Sequence, residues 1–322
     1  MSSTVDIQDL PLEWFERPQY RPLLADGEGE RWFILSKQEL SLKTVEAADC
    51  RARADAGLPD REGLVAAIQA SYKDWGLPCT AQAKAAIEKL GREETVCVVT
   101  GQQPGFLGGP LYVLYKALSA IALARWTEAN CGAPCVPVFW VAGEDHDIDE
   151  VRTARFPLDG ETVAFSLPQE TGRAPLSSLA IDPQSEATIS EFISGIAGRE
   201  HSDTVQELAR QYHGRSVASG FAALLARLLG DHGLVFIDPE KLRPLARPLL
   251  RRCIQRPSEV ITQIEDKANE LKASGLKPFV SPRFPLFLLR NGSRDHLSPS
   301  ERGLRIDGGG PELDQQELPY KL

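Results

Sequence analysis

The stretch from Thr100 to Tyr112 reads T-G-Q-Q-P-G-F-L-G-G-P-L-Y and stands between two patterns that belong to different secondary structures. Before it, V-C-V-V from Val96 is a short β-branched run of strand type. After it, Leu111, Leu114, Tyr115, Leu118, Ile121 and Ala122 recur at helical spacing as far as Trp126. A strand, a glycine loop and a helix in that order leave few architectures open. A second apolar run, Val136 to Val141 (V-P-V-F-W-V), follows the turn-like Cys131-Gly132-Ala133-Pro134 and completes a βαβ unit. Such a unit predicts parallel strands joined by a right-handed crossover, and hence an α/β fold.

The loop itself has chemical potential. Gly101, Gly105, Gly108 and Gly109 let backbone amides come close to a ligand, and Pro110 stands where the first turn of a helix begins. Amides and helix dipole together suit a phosphate or a carboxylate. Gln102 and Gln103 add amide donors and acceptors, and Lys116 is close enough along the helix to reach the same pocket. The loop is no Walker motif, because no Gly-Lys-Ser/Thr follows, and it does not match G-x-G-x-x-G. A glycine-rich turn without a ligand, and a solvated helix lysine at 116, are the plainer readings and stay open.

A second cluster, G-E-D-H-D-I-D-E from Gly143 to Glu150, follows the second apolar run directly. In an open parallel sheet, ligands bind beyond the carboxyl ends of the strands, and both the loop and this acidic burst fall there. Asp145, His146 and Asp147 offer oxygen and imidazole groups suited to a divalent metal, to general-base work or to an amine, and Glu144 lies beside them. Not every carboxylate in so dense a run can face one site, so some are solvated or cap a helix. A helix start over the whole run is the plainer reading and stays open. Which metal, if any, the residues alone do not name.

Later segments repeat the strand-then-helix grammar. Leu234 to Ile237 is a third short apolar run, followed by Asp238-Pro239-Glu240 and an arginine-rich helical pattern to Ala273 that Pro244, Pro248 and Pro257 are placed to kink or break. Asp238 before Pro239 reads as a helix N-cap with proline in the first turn. Arg243, Arg247 and Arg251, four residues apart, form one stripe, either an anion-binding face or an ordinary solvated one. Residues 285–297, around Asn291-Gly292, resemble a hairpin with the favoured two-residue turn. Past Arg305 no periodicity is visible. Between residues 151 and 200 the pattern is irregular, with one strand at 162–167 and one helix at 187–196, as expected of an insertion. The expected organisation is a mainly helical segment 1–90, a first core part 91–150, an inserted segment 151–230, and a second core part 231–322 with the hairpin and an irregular tail.

Composition narrows the function classes. The chain of 322 residues has 36 basic and 45 acidic side chains, a net charge of −9 that argues against nucleic acid or an anionic membrane as partner. The longest uncharged stretch, 95–115, carries two glutamines, two prolines and four glycines and is no transmembrane helix. Six cysteines form neither a dense disulfide framework nor a zinc motif, the N-terminus lacks a signal-peptide pattern, and a cytoplasmic location is expected. His201, His213, His232 and His296 match no catalytic pattern.

V-T-G-Q-Q-P-G-F-L-G-G-P-L-Y-V-L-Y-K (Val99 to Lys116) and P-V-F-W-V-A-G-E-D-H-D-I-D-E-V (Pro137 to Val151) resemble the bacillithiol biosynthesis cysteine-adding enzyme family, BshC, and P-L-F-L-L-R-N-G-S-R (Pro285 to Arg294) is similar to a weaker segment of it. The resemblance implies a Rossmann-like parallel sheet core with a mainly helical insertion, and a ligase that joins cysteine to glucosaminyl-malate in the last step of bacillithiol synthesis. Amide formation from a carboxylate is uphill in water, so ATP with magnesium is the expected activator. In that reading the loop from Gly101 to Gly109 cradles phosphate or carboxylate, Asp145 and Asp147 hold metal or amine, and His146 positions or deprotonates the attacking amine. The family also implies a homodimer built on a C-terminal coiled-coil arm, which this sequence lacks, so a catalytically inactive nucleotide- or metabolite-binding fragment is the alternative. A nucleotidyl or adenylyl transferase is a third.

Overall fold

The computed structural model describes residues 60–314, apart from 169–171, 276, 279, 291, 301–302 and 308–311. The expectations for residues 1–59 and 315–322 lie outside the described residues. The described chain falls into two compact units, one of residues 60–254 with 286–314 and one of residues 255–285.

The larger unit begins with two capped helices. α1 (Arg61–Trp75) starts where the Asp60 side chain accepts from the Gly63 amide and stops at Gly76, whose φ of 59° lets the chain turn away. α2 (Ala81–Leu90) is capped by Thr80, which also donates to the Gly230 carbonyl across the fold. β1 (Val96–Gln102), α3 (Tyr112–Cys131) and β2 (Cys135–Val141) are the βαβ unit of the sequence reading, and β1 and β2 pair in parallel. α3 packs on both strands and ends at Gly132 in the left-handed region. The strand–loop reading of residues 95–115 holds, and no helix among the described residues is long and apolar enough to cross a membrane.

The following segment is more regular than expected. β3 (Thr153–Leu158) and β4 (Glu161–Ser166) form a hairpin closed by Asp159-Gly160. α4 (Pro183–Gly195) begins at an Asp182 cap with proline in its first turn. Two further helices follow, α5 (Ser202–Ala209) and α6 (Val217–Leu229), separated around Gly214. α6 is buried along its whole length except for Arg227 and Leu228, so part of this segment is core. β5 (Val235–Ile237) pairs with β2, giving a three-stranded parallel sheet of order β1-β2-β5.

β2 is central and buried on both faces except at Trp140, which explains its unbroken apolar run. Phe139 stacks with Phe221 of α6 and Phe236 of β5 at ring-centroid distances of 6.0 and 5.8 Å, and all three are fully buried. Each such phenyl contributes about 1.5–3 kcal/mol on leaving water. Cys131 and Cys135 are buried with this core.

α7 (Pro239–Gln255) runs through Pro244 and Pro248 without a break, contrary to one of the sequence expectations; the chain breaks helix only before Pro257, where α8 (Pro257–Ala273) of the smaller unit starts. The larger unit resumes with β6 (Phe287–Arg290) and β7 (Ser293–Ser300), antiparallel with Arg290 opposite Ser293, as the Asn-Gly pair demands. β8 (Gly303–Ile306) and β9 (Glu312–Asp314) extend them into a four-stranded antiparallel sheet. The tail after Arg305 is thus not wholly irregular. Its short strands carry no periodicity of their own: β8 is held by pairing to β7, and β9 by pairing to β8.

Candidate active site at the carboxyl ends of the parallel strands

β1, β2 and β5 end side by side at Gln102, Val141 and Ile237, and the Ala142 amide continues the pairing by donating to the Gln102 carbonyl at 3.0 Å. Beyond these ends Gln103 joins the glycine loop to the acidic burst. Its Nε2 donates to Asp145 Oδ2 at 2.7 Å and to Glu150 Oε2 at 2.9 Å. Lys116, in the second turn of α3, reaches back to the end of β1, donating to the Gly101 carbonyl at 2.6 Å and to Gln102 Oε1 at 2.9 Å. Gly101 is glycine for a packing reason: a Cβ there would lie 2.8 Å from the Trp140 carbonyl oxygen.

Asp145 and His146 face a residue from far along the chain. Arg294, at the start of β7, places Nη1 3.5 Å from Asp145 Oδ1 and 3.4 Å from His146 Nδ1. Its guanidinium lies 3.7 Å from the centre of the Phe287 ring. Its backbone is fixed by Arg173, whose carbonyl accepts from the Arg294 amide at 3.0 Å and whose Nη2 donates to the Arg294 carbonyl at 2.9 Å. Partial burial alone raises the Asp145 carboxyl, but hydrogen bonds from Gln103 and from the His146 and Asp147 amides, with the Arg294 charge, hold it below the ordinary carboxylate range. His146 Nδ1 also lies 3.5 Å from Asp145 Oδ1, so it accepts from the guanidinium in the tautomer that carries its proton on Nε2 and donates to the carboxylate in the other.

The third strand contributes its own charged groups. Arg243 of α7 grips Glu144 Oε1 with Nε at 3.0 Å and Nη2 at 2.5 Å, and lies 3.6 Å from Glu240. The Ser177 hydroxyl donates to Glu240 Oε1 at 3.4 Å. Asp238, at the end of β5, is 4% exposed and caps α7 by accepting from the Glu240 amide at 3.0 Å. Burial pushes its carboxyl up to about 6, and Glu240 and Glu144 add to the rise.

Other expected site residues go elsewhere. The Gly108 amide donates to the Tyr212 hydroxyl and to the Gly105 carbonyl, and the Gly109 amide to the Phe106 carbonyl, so this part of the loop is bonded within the protein. Gly105 packs directly on Gly109, where a Cβ would come within 2.5 Å of the Gly109 Cα. Pro110 is exposed, and the loop's far side faces Leu224 of α6. Asp147 is exposed, and Asp149 pairs with Arg152 at 2.9 Å. Arg247 and Arg251 are exposed farther along α7. Among the described residues no three His, Cys, Asp or Glu side chains gather as a metal site. The donors that do gather suit an amine at the carboxylates and an acyl or phosphate oxygen at Arg294 and His146 Nε2–H.

Arg294 and Arg243 are the residues the motifs did not assign. Arg243 carried a signal in its stripe, but not its partner. Arg294 closes the weaker family-like segment from Pro285, but its partner His146, 148 positions away, could not be read from it.

Comparisons with known proteins agree with the parallel α/β core. The family model described as bacillithiol biosynthesis BshC, N-terminal Rossmann-like domain, matches residues 33–319. A protein of Solibacter usitatus named "Putative cysteine ligase BshC" is 33% identical over 269 residues, 80% of this chain and 48% of its own length. Proteins of the same name from Koribacter versatilis and Geobacillus kaustophilus are each 32% identical, over 80% and 69% of this chain and 48% and 42% of their own lengths. The chain spans about half the length of the curated relatives it matches. With a family model covering most of its residues and a parallel α/β core to match, this chain belongs to the bacillithiol biosynthesis BshC family, within its N-terminal Rossmann-like domain.

Proposed function

We propose that this chain serves the ligation of cysteine to glucosaminyl-malate, the amide-forming last step of bacillithiol synthesis. The observation that carries the reading is the meeting of Gln103, Asp145, His146 and Arg294 beyond the carboxyl ends of the parallel strands. In this reading the Asp145 carboxylate holds a substrate ammonium. Arg294 and the Nε2–H of His146 hold the carboxyl oxygens of cysteine, where negative charge grows when the amine attacks. His146 positions the acyl group in that tautomer, and takes a proton from the amine only in the other one. Lys116 fixes the end of β1, and with it Gln103. ATP is the proposed activator of the cysteine carboxylate. Among the described residues no three His, Cys, Asp or Glu side chains gather to hold magnesium, so in this reading it enters only with the ATP phosphates.

Incubation of the chain with glucosaminyl-malate, cysteine, ATP and magnesium, read by mass spectrometry, tests the proposal. Bacillithiol is the expected product. Its absence, while a full-length relative makes it under the same conditions, would overturn the reading for this chain. Nucleotide or metabolite binding without product would then favour the inactive binding module.

A further inference from the structure

Behind the glycine loop, away from Asp145, lies a cavity of about 360 Å³. Its walls come from the loop at Leu107, from α3 at Leu114, from β3 at Phe156, from α4 at Phe192 and from α6 at Leu224 and Leu228. Every lining residue is apolar, glycine or proline except Arg155, which is exposed and has no acidic partner among the described residues. The volume lies in the range of small-molecule sites, roughly 300–1,000 Å³, and a mainly apolar wall with one polar group is their usual make-up. Two further observations mark the place. Leu111 and Leu228, both on its lining, are 62% and 39% exposed, an unusual loss for large aliphatic side chains. Leu107, at its wall, holds φ at 51°, a left-handed conformation that a leucine rarely adopts.

We propose that this cavity binds a small amphipathic acid, its apolar body against Leu107, Phe156 and Leu224 and its carboxylate paired with Arg155. An uncharged ligand would leave the one cation of the lining unused, and a polyanion would meet no second one. The site is separate from the candidate active site and does not depend on the ligase reading.

Decanoate is the probe, with decanol as its uncharged counterpart, and binding to the whole chain is read by isothermal titration calorimetry. Saturable one-to-one binding of decanoate is expected. Arg155→Gln weakens decanoate by about fivefold, the worth of an exposed ion pair, and leaves decanol unchanged. Leu228→Trp, a change at a half-exposed position, fills the cavity and abolishes binding of both. No saturable binding, as when a protein segment occupies the groove, overturns the proposal. So does decanoate binding that is insensitive to either substitution.

Discussion

Tyr212 ties the glycine loop to the rest of its unit. Its buried hydroxyl donates to the Gly105 carbonyl at 2.8 Å and accepts from the Gly108 amide at 3.2 Å, and burial pushes the phenol far above its usual range. Without the hydroxyl the Gly105 carbonyl and the Gly108 amide keep only their mutual bond, so Tyr212→Phe is expected to cost about 0.5–1.5 kcal/mol in urea unfolding. Asp238 gives a pH-dependent counterpart. Its carboxyl is raised from 3.8 to about 6 in the fold, so the folded state favours the neutral acid. That favour is complete below pH 4 and is lost as pH rises through about 6. Asp238→Asn keeps a capping group but not the charge, and should gain on the native chain between pH 4 and 7, by about 3 kcal/mol at most. Unfolding curves at pH 4.5 and 8 check it; a gap that does not change with pH refutes it. At this scale the sequence was legible where a residue acts through its neighbours. Asp238 reads as a cap because Pro239 and Glu240 follow it directly, and it accepts from the Glu240 amide. Tyr212 and Arg294 act through partners over a hundred positions away, and nothing local names those partners.

α6 shows how packing overrides propensity. In an isolated helix, replacing Gly220 by alanine would stabilise by about 0.5–1 kcal/mol. Here a Cβ at 220 would lie 2.5 Å from the Tyr212 ring, so Gly220→Ala is expected to destabilise by about 1–3 kcal/mol, measured as a shifted denaturant midpoint. The βαβ unit and the β6–β7 hairpin could be read from their patterns, because apolar periodicity and turn chemistry are local. β2 was legible despite Pro137 within it, since its apolar run is what burial on two faces requires. β3 was missed although Asp159-Gly160 is a favoured hairpin turn, because Arg155 and Pro157 obscure the alternation. β9 has three residues and exists through pairing with β8.

The candidate site draws on the loop after β1, the burst after β2, the start of α7 and the β6–β7 hairpin. The first two could be placed together from the general rule for parallel sheets; the hairpin could not, because no rule fixes where an antiparallel ribbon lands. Arg294 is the reagent that tests this assembly. In a chain that forms product, Arg294→Gln is expected to lower kcat/KM about a hundredfold, as for loss of one charge-stabilising donor. Unchanged kinetics would remove it from the site. The 148 positions between His146 and Arg294 also have a meaning in time. A ribosome adding about 5–20 residues per second delivers the arginine on the order of ten seconds after the histidine. Once Ile237 has been made, still well before Arg294, the nascent protein can bury Phe139 against Phe221 and Phe236 and close its parallel sheet while Asp145 waits without its cation, so the scaffold is ready before its chemistry.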